Sequence, residues 1–134
     1  GKLVDWSKYP NFSPNEFRCK HCVTAQCGSN DLIISEQLMD VIQSLRDEYD
    51  RPMEITSGYR CPLHPVEERK NTPGVHSTGM ACDVGVSGKD AYDLLKLVCA
   101  DDRIKGIGVN QKGSRRFIHI DVKEESPRPN VWSY

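Results

Sequence analysis

The segment Phe117-Ile118-His119-Ile120-Asp121 constrains the chain more than any other stretch. Successive side chains of a β-strand point to opposite faces, so Ile118 and Ile120 share one face while Phe117, His119 and Asp121 share the other. The isoleucine face asks for an apolar layer. The opposite face cannot be pure core, because it presents an imidazole and a carboxylate roughly 6.6 Å apart by strand rise. A chain with such a strand needs a sheet that packs on one side and carries a polar site on the other.

The remaining patterns supply the rest of that sheet and its cover. Leu38, Val41, Ile42, Leu45 and Tyr49 recur at helical spacing, which predicts a helix from about Ser35 to Glu48 with Ser35 as N-cap and Gln43, Arg46 and Asp47 on the wet face. Met53 to Ser57 reads as a short strand ending at Gly58, and Met80 to Val86 alternates enough to be another. Asp90 to Ala100, with Ala91, Leu94, Leu95 and Val98 apolar, is a second helix. Gly106 to Val109 and Phe117 to Val122 form a hairpin through Gln111 to Arg115. The first 17 residues, rich in aromatics, read as an extended arm lying over the core, while Cys19 to Asn30 and Cys61 to Gly74 read as loops. The order α, β, loop, β, α, β, β predicts an α+β fold, a small mostly antiparallel sheet with flanking helices. At 134 residues, one domain spanning 1–134 is expected.

Charge narrows the function classes. Eighteen basic and 19 acidic side chains leave a net charge of −1, without the basic face or arm that nucleic-acid phosphates or anionic lipid require. No stretch approaches the ~20 apolar residues of a membrane span, and no positive-then-apolar leader precedes Trp6. The expectation is therefore a monomeric protein with no nucleic-acid partner, no membrane insertion and no signal peptide in this chain.

The chain has four histidines, and two sit in settings that ask for a task. His76 and Asp83 lie seven residues apart, one at a loop end and one in the following strand, with Gly79 allowing a tight approach. Together with His119 they make two imidazoles and a carboxylate, the ligand count of a catalytic zinc site that leaves a fourth position for water. By spacing alone, a histidine in a strand is as readily a hydrogen-bonded core residue. The six cysteines are less specific. Cys19 and Cys22 form a C-x-x-C pair with Cys27 five residues on and Cys61 further away, a set that could hold a second, structural metal but lacks a second C-x-x-C pair. Free thiols or disulfides are the alternatives there, and Cys82 and Cys99 read as small buried hydrophobes.

Several short motifs, in one order, carry a family resemblance. Ser57-Gly58-Tyr59-Arg60-Cys61-Pro62, then His76 to Asp83 with Gly79 and Ala81, then Gly106-Ile107-Gly108-Val109 and Phe117-Ile118-His119-Ile120-Asp121 resemble the zinc D-alanyl-D-alanine carboxypeptidases from about Phe12 to Asp121. That family includes the L-alanyl-D-glutamate endolysins of bacteriophages and shares its fold with the amino-terminal domain of Hedgehog proteins.

The resemblance implies that His76, Asp83 and His119 bind Zn2+. It also implies that Arg60 holds the substrate carbonyl or carboxylate, a task suited to a planar, always charged guanidinium. The implied reaction is zinc-assisted amide hydrolysis in the stem peptides of bacterial peptidoglycan, as in a phage lysin. Such an enzyme is made in the host cytoplasm and acts at the cell wall or periplasm.

Two departures stand out. Many relatives carry an acidic general base three residues before the last zinc histidine, where this chain has Arg116, and often a serine two before the first, where it has Gly74. Asp121 is then the nearest carboxylate on the His119 face, either as base or as a partner that orients a ligand. Glu67, Glu68 and Glu124 are further acids on flanking segments. The missing base also raises an alternative: a non-catalytic zinc-containing binding or phage structural module that retains the peptidase scaffold. Lys112, Arg115 and Arg116 cluster at the hairpin, as a solvated turn or as a grip on anionic wall peptide.

Overall fold

The structure is a computed structural model that describes residues 4–19, 34–59, 78–124 and 128–134. Five strands form one sheet in the order β1-β2-β4-β3-β5, where β1 is Glu54–Ser57, β2 Ala81–Gly85, β3 Gly106–Asn110, β4 Phe117–Asp121 and β5 Asn130–Ser133. Every pairing is antiparallel except that of β3 with β5. Three α-helices accompany it among the described residues: α1 Pro14–Phe17, α2 Glu36–Tyr49 and α3 Gly88–Ala100. This is the α+β arrangement the element order implies. No helix among the described residues is long and apolar enough to cross a membrane.

Helix α2 follows its periodicity closely. Leu38, Val41, Ile42, Leu45 and Tyr49 are all buried, joined by Met39, and the helix ends at Asp50, whose left-handed φ of 55° lets its N–H return to the Arg46 carbonyl. With the buried residues of α3 (Ala91, Leu94 and Val98), they pack into one cluster against Ile55, Cys82, Val84, Ile118 and Ile120 of the sheet. That cluster is the apolar layer that the two isoleucines of β4 require.

Three expectations need correction. The N-terminal arm is wound rather than extended. Trp6–Lys8 is a 3-10 turn and Pro14–Phe17 a single helical turn, with Tyr9, Phe12 and Phe17 buried in the core. The cause is local: the backbone N–H of Ser13 donates to Glu16 Oε2 at 2.8 Å and Pro14 fills the first helical position, a capping box with proline where no N–H is needed. Strand β2 does not alternate in burial; Ala81, Cys82, Asp83 and Val84 are all buried, because its second face is covered too. Cys99 is exposed near the end of α3, unlike Cys82, whose thiol is fully buried.

The register of the sheet places the site. Ser57 of β1 pairs with Asp83, Asp83 with His119, His119 with Gly108, and Gly108 with Trp132, so these five form one row across all five strands. Directly opposed residues on neighbouring strands project to the same face. The next row runs Ala81, Asp121, Gly106, Asn130. The face opposite the core thus carries two carboxylates, an imidazole and an indole, interrupted by two glycines.

Candidate active site

Asp83, His119 and Asp121 are the buried charged or polar residues among those described, at 5%, 2% and 0% exposure. Burying ionisable groups costs several kcal/mol unless they are paired, and these three pair with one another. His119 lies between the carboxylates: its Nδ1 is 3.1 Å from Asp83 Oδ1 and its Nε2 is 2.8 Å from Asp121 Oδ2. Arg128 closes the far end with a two-pronged fork, donating from Nε to Asp121 Oδ1 at 3.0 Å and from Nη2 to Asp121 Oδ2 at 2.9 Å. Trp132 lies against the imidazole with ring centroids 5.1 Å apart, and the Arg128 guanidinium sits 4.9 Å from the indole centroid.

The two glycines of β3 make this packing fit. A Cβ on Gly106 would overlap the carboxylate of Asp121, and a Cβ on Gly108 would stand 2.6 Å from Trp132 Nε1. Any side chain at either position would push the carboxylate off His119 or the indole off the imidazole. The alternation Gly106-Ile107-Gly108 therefore combines room for the site on one face with partly buried Ile107 packed on the core at the other.

Electrostatics fit a cation between His119 and Asp83. Burial pushes the His119 pKa down, but its hydrogen bonds to Asp121 and Asp83 outweigh burial and hold it above the usual value. Burial likewise pushes Asp121 up, and His119 and Arg128 together outweigh it and hold the carboxyl low. With Asp121 ionised, the 2.8 Å contact assigns an N–H to His119 Nε2. In the neutral ring Nδ1 then bears a lone pair aimed at a carboxylate oxygen 3.1 Å away. Two acceptors at that distance need positive charge between them, either a proton on the ring or a metal ion bound by both. A histidine whose outer N–H is held by a carboxylate is also the usual arrangement of a metal-ligating imidazole.

Asp83 and His119 thus come together, with Asp121 behind His119 rather than beside Asp83. His76 and Arg60 lie outside the described residues, as do His21, His64, Cys22, Cys27, Cys61, Glu67, Glu68 and Gly74. Among the described residues no three His, Cys, Asp or Glu side chains form a metal cage. Asp83 and His119 supply two donors of the expected set, and their facing atoms suit zinc, which takes both imidazole nitrogen and carboxylate oxygen. Cys19 is buried in the core, and Glu124 is exposed.

Beside Asp83 the surface opens into a groove of about 750 Å³ lined by Glu54, Thr56, Gly85, Arg115, Arg116 and Phe117. Arg116 is exposed, and its Nε donates to the Gly113 carbonyl at 3.0 Å. Arg128 has no counterpart in the sequence expectations, and Trp132 is expected there only to close the C-terminus over the fold, without a function. Their signal was weak: an arginine within a proline-containing tail and an indole at an unrecognised strand, which only the parallel pairing of β5 with β3 brings to His119.

On the sheet face opposite the core, beside a groove, a buried histidine is thus flanked by two carboxylates, and the nitrogen and oxygen that face each other there suit a metal-dependent hydrolase. The comparison with known families agrees: residues 10–121 match the model of Peptidase M15. The chain belongs to this family, and the family is one of metallopeptidases. A search of curated proteins finds no match to the chain.

Proposed function

We propose that the chain is a zinc-dependent peptidase that hydrolyses an amide bond in peptidoglycan stem peptides, as phage lysins do, made in a bacterial cytoplasm and acting at the wall. The observation that carries this reading is the imidazole of His119, set between Asp83 on its metal side and the Arg128-held Asp121 on the other, in a chain of the M15 family.

Asp83, His119 and His76 are the proposed zinc ligands. Bound zinc supplies Lewis acidity and a water whose pKa falls to about 7, so that a nucleophile exists at neutral pH. The chain's own residues do the rest. Asp121, fully buried and with both oxygens engaged, keeps the His119 N–H on Nε2 and so leaves Nδ1 as donor; it orients rather than exchanges protons with substrate. Arg60 is assigned the developing oxyanion of the peptide carbonyl. The groove beside Asp83 receives the peptide, and Arg115 and Arg116 on its wall suit the carboxylates of an anionic stem peptide.

Arg116 cannot serve as a base, because a guanidinium does not lose its proton in this range. Among the described residues, Glu54 is the other carboxylate that lines this groove with Asp83, and we assign it the proton that the attacking water loses and the leaving amine gains. Glu54→Gln at saturating zinc should then lower kcat by about 10²- to 10⁴-fold; an unchanged kcat returns the base to another acid.

The decisive experiment is digestion of purified murein by the zinc-loaded protein, with mass spectrometry of the released peptides. New amino and carboxyl termini at one defined bond are expected, and the masses identify that bond. Zinc bound without any cleavage would overturn the enzymatic reading in favour of a binding module, which the arginine at position 116 motivates.

A further inference from the structure

The family match ends at residue 121, yet two groups that close the site come from beyond it. Asp121 can fix the Nε2–H of His119 only if the carboxylate itself is fixed, because an aspartate with a free χ2 offers its oxygens over a range of directions. Arg128 removes that freedom. Its two prongs take one carboxylate oxygen each, at 3.0 and 2.9 Å, with 10% of its side chain and none of the Asp121 side chain exposed. A planar fork locks a carboxylate in orientation as well as position, which a lysine cannot do.

The ring of His119 must also be held in its plane. Trp132 lies against it at 5.1 Å between centroids, able to reach because Gly108, between the two in the cross-strand row, has no side chain. Arg128 in turn rests on the indole at 4.9 Å. Each of the three groups therefore restrains the next: indole on imidazole, guanidinium on indole, guanidinium on the carboxylate that holds the imidazole.

We propose that Arg128 and Trp132 are positioning residues of the metal centre, fixing the tautomer and ring plane of His119 so that Nδ1 faces Asp83. This rests on the zinc reading above.

The test measures zinc affinity by competition with a chromophoric chelator, together with the visible absorption of the cobalt-loaded protein, which reports ligand geometry. Wild type is compared with Arg128→Ala, Arg128→Lys, Trp132→Phe and, as a control on the exposed side of the same strand, Val131→Ala. Arg128→Ala should bind zinc about 10- to 100-fold more weakly, the usual effect of removing a partner behind a ligand. Arg128→Lys should fall between it and wild type, since charge is kept and the fork lost. Trp132→Phe should alter the cobalt spectrum with a smaller loss of affinity, and Val131→Ala should change neither. Unchanged zinc affinity and cobalt spectrum in Arg128→Lys and Trp132→Phe overturn the proposal even if Arg128→Ala does not fold. A wild-type protein that binds no zinc overturns the zinc reading and this inference with it, whereas tight binding in wild type and variants alike removes the inference alone.

Discussion

Two arginines of this protein hold aspartates by the same fork. Arg128 donates to Asp121 from Nε at 3.0 Å and Nη2 at 2.9 Å, and Arg103 donates to Asp101 from Nε at 3.0 Å and Nη2 at 2.7 Å. The difference lies in what surrounds them. At Asp101 the hydrogen bond from Arg103 is the largest influence and lowers the carboxyl pKa, with burial a lesser opposing one. At Asp121 burial is the largest single influence and raises it, and the hydrogen bonds and charges of His119 and Arg128 bring it down. The first fork joins residues two apart just after a helix, with Arg103 half exposed at 49%. The second is sealed, and its carboxylate has a second partner residue in His119. Identical hydrogen bonds thus fasten a turn in one place and a chemical centre in the other, and burial decides which.

Breaking the buried fork should have the larger consequences. Asp121→Ala leaves Arg128 and His119 without their shared anion, and the metal-free protein should lose about 3–5 kcal/mol, as when one partner of a buried pair is removed. Urea denaturation at pH 7 measures this; a loss below about 1 kcal/mol would place the buried fork on a par with an exposed one. Asp121→Asn separates orientation from proton transfer, because it keeps the shape and an acceptor for Nε2–H. At saturating zinc its kcat should stay within about tenfold of wild type, since a general base would cost about 10²- to 10⁴-fold.

Gly106→Ala attacks the same fork without changing charge. The added methyl must share space with the Asp121 carboxylate, so stability should fall by about 1–3 kcal/mol, the usual cost of overpacking, and zinc affinity should fall with it. If thermal unfolding and zinc titration both match wild type, the carboxylate has room to move and is not held as tightly as its contacts indicate.

Among the described residues of the site, Asp83, His119 and Asp121 are legible in the sequence and Arg128 and Trp132 are not, for physical reasons. Strand β4 announced itself because the alternation of Ile118 and Ile120 with His119 and Asp121 is a local signal, and helix α2 did so through its 3.6-residue stripe. The turn at Pro14–Phe17 is also written locally, in Ser13-Pro14-Asn15-Glu16, although the aromatics around it suggest an extended arm. Strand β2 shows the opposite case. Its two covered faces erase alternation in burial, so the burial of Asp83 has no local signal, although its spacing from His76 singles it out as a ligand and the family resemblance agrees. Arg128 and Trp132 lay beyond any local signal: β5 has no buried alternation of its own, and its value comes from pairing with β3, where Gly108 leaves space for the indole. A vacancy on one strand that another strand fills is a tertiary fact that one sequence does not display.

The smallest effect belongs to the exposed fork, and its pH dependence carries the information. Asp101 has a folded-state pKa below its ordinary 3.8, so the unfolded chain takes up the proton first as pH falls. Its contribution is complete above the ordinary value and is lost as pH drops through the lowered folded value. Arg103→Ala should therefore cost less than about 1 kcal/mol at pH 7, less still at high salt, because an exposed charge pair is screened. The difference between variant and wild type should shrink toward zero once Asp101 is protonated. Urea midpoints for both proteins at neutral and at strongly acidic pH measure this directly. A difference that persists in acid would mean that Arg103 acts through packing of its aliphatic stem, and the two forks would then differ in kind rather than in burial.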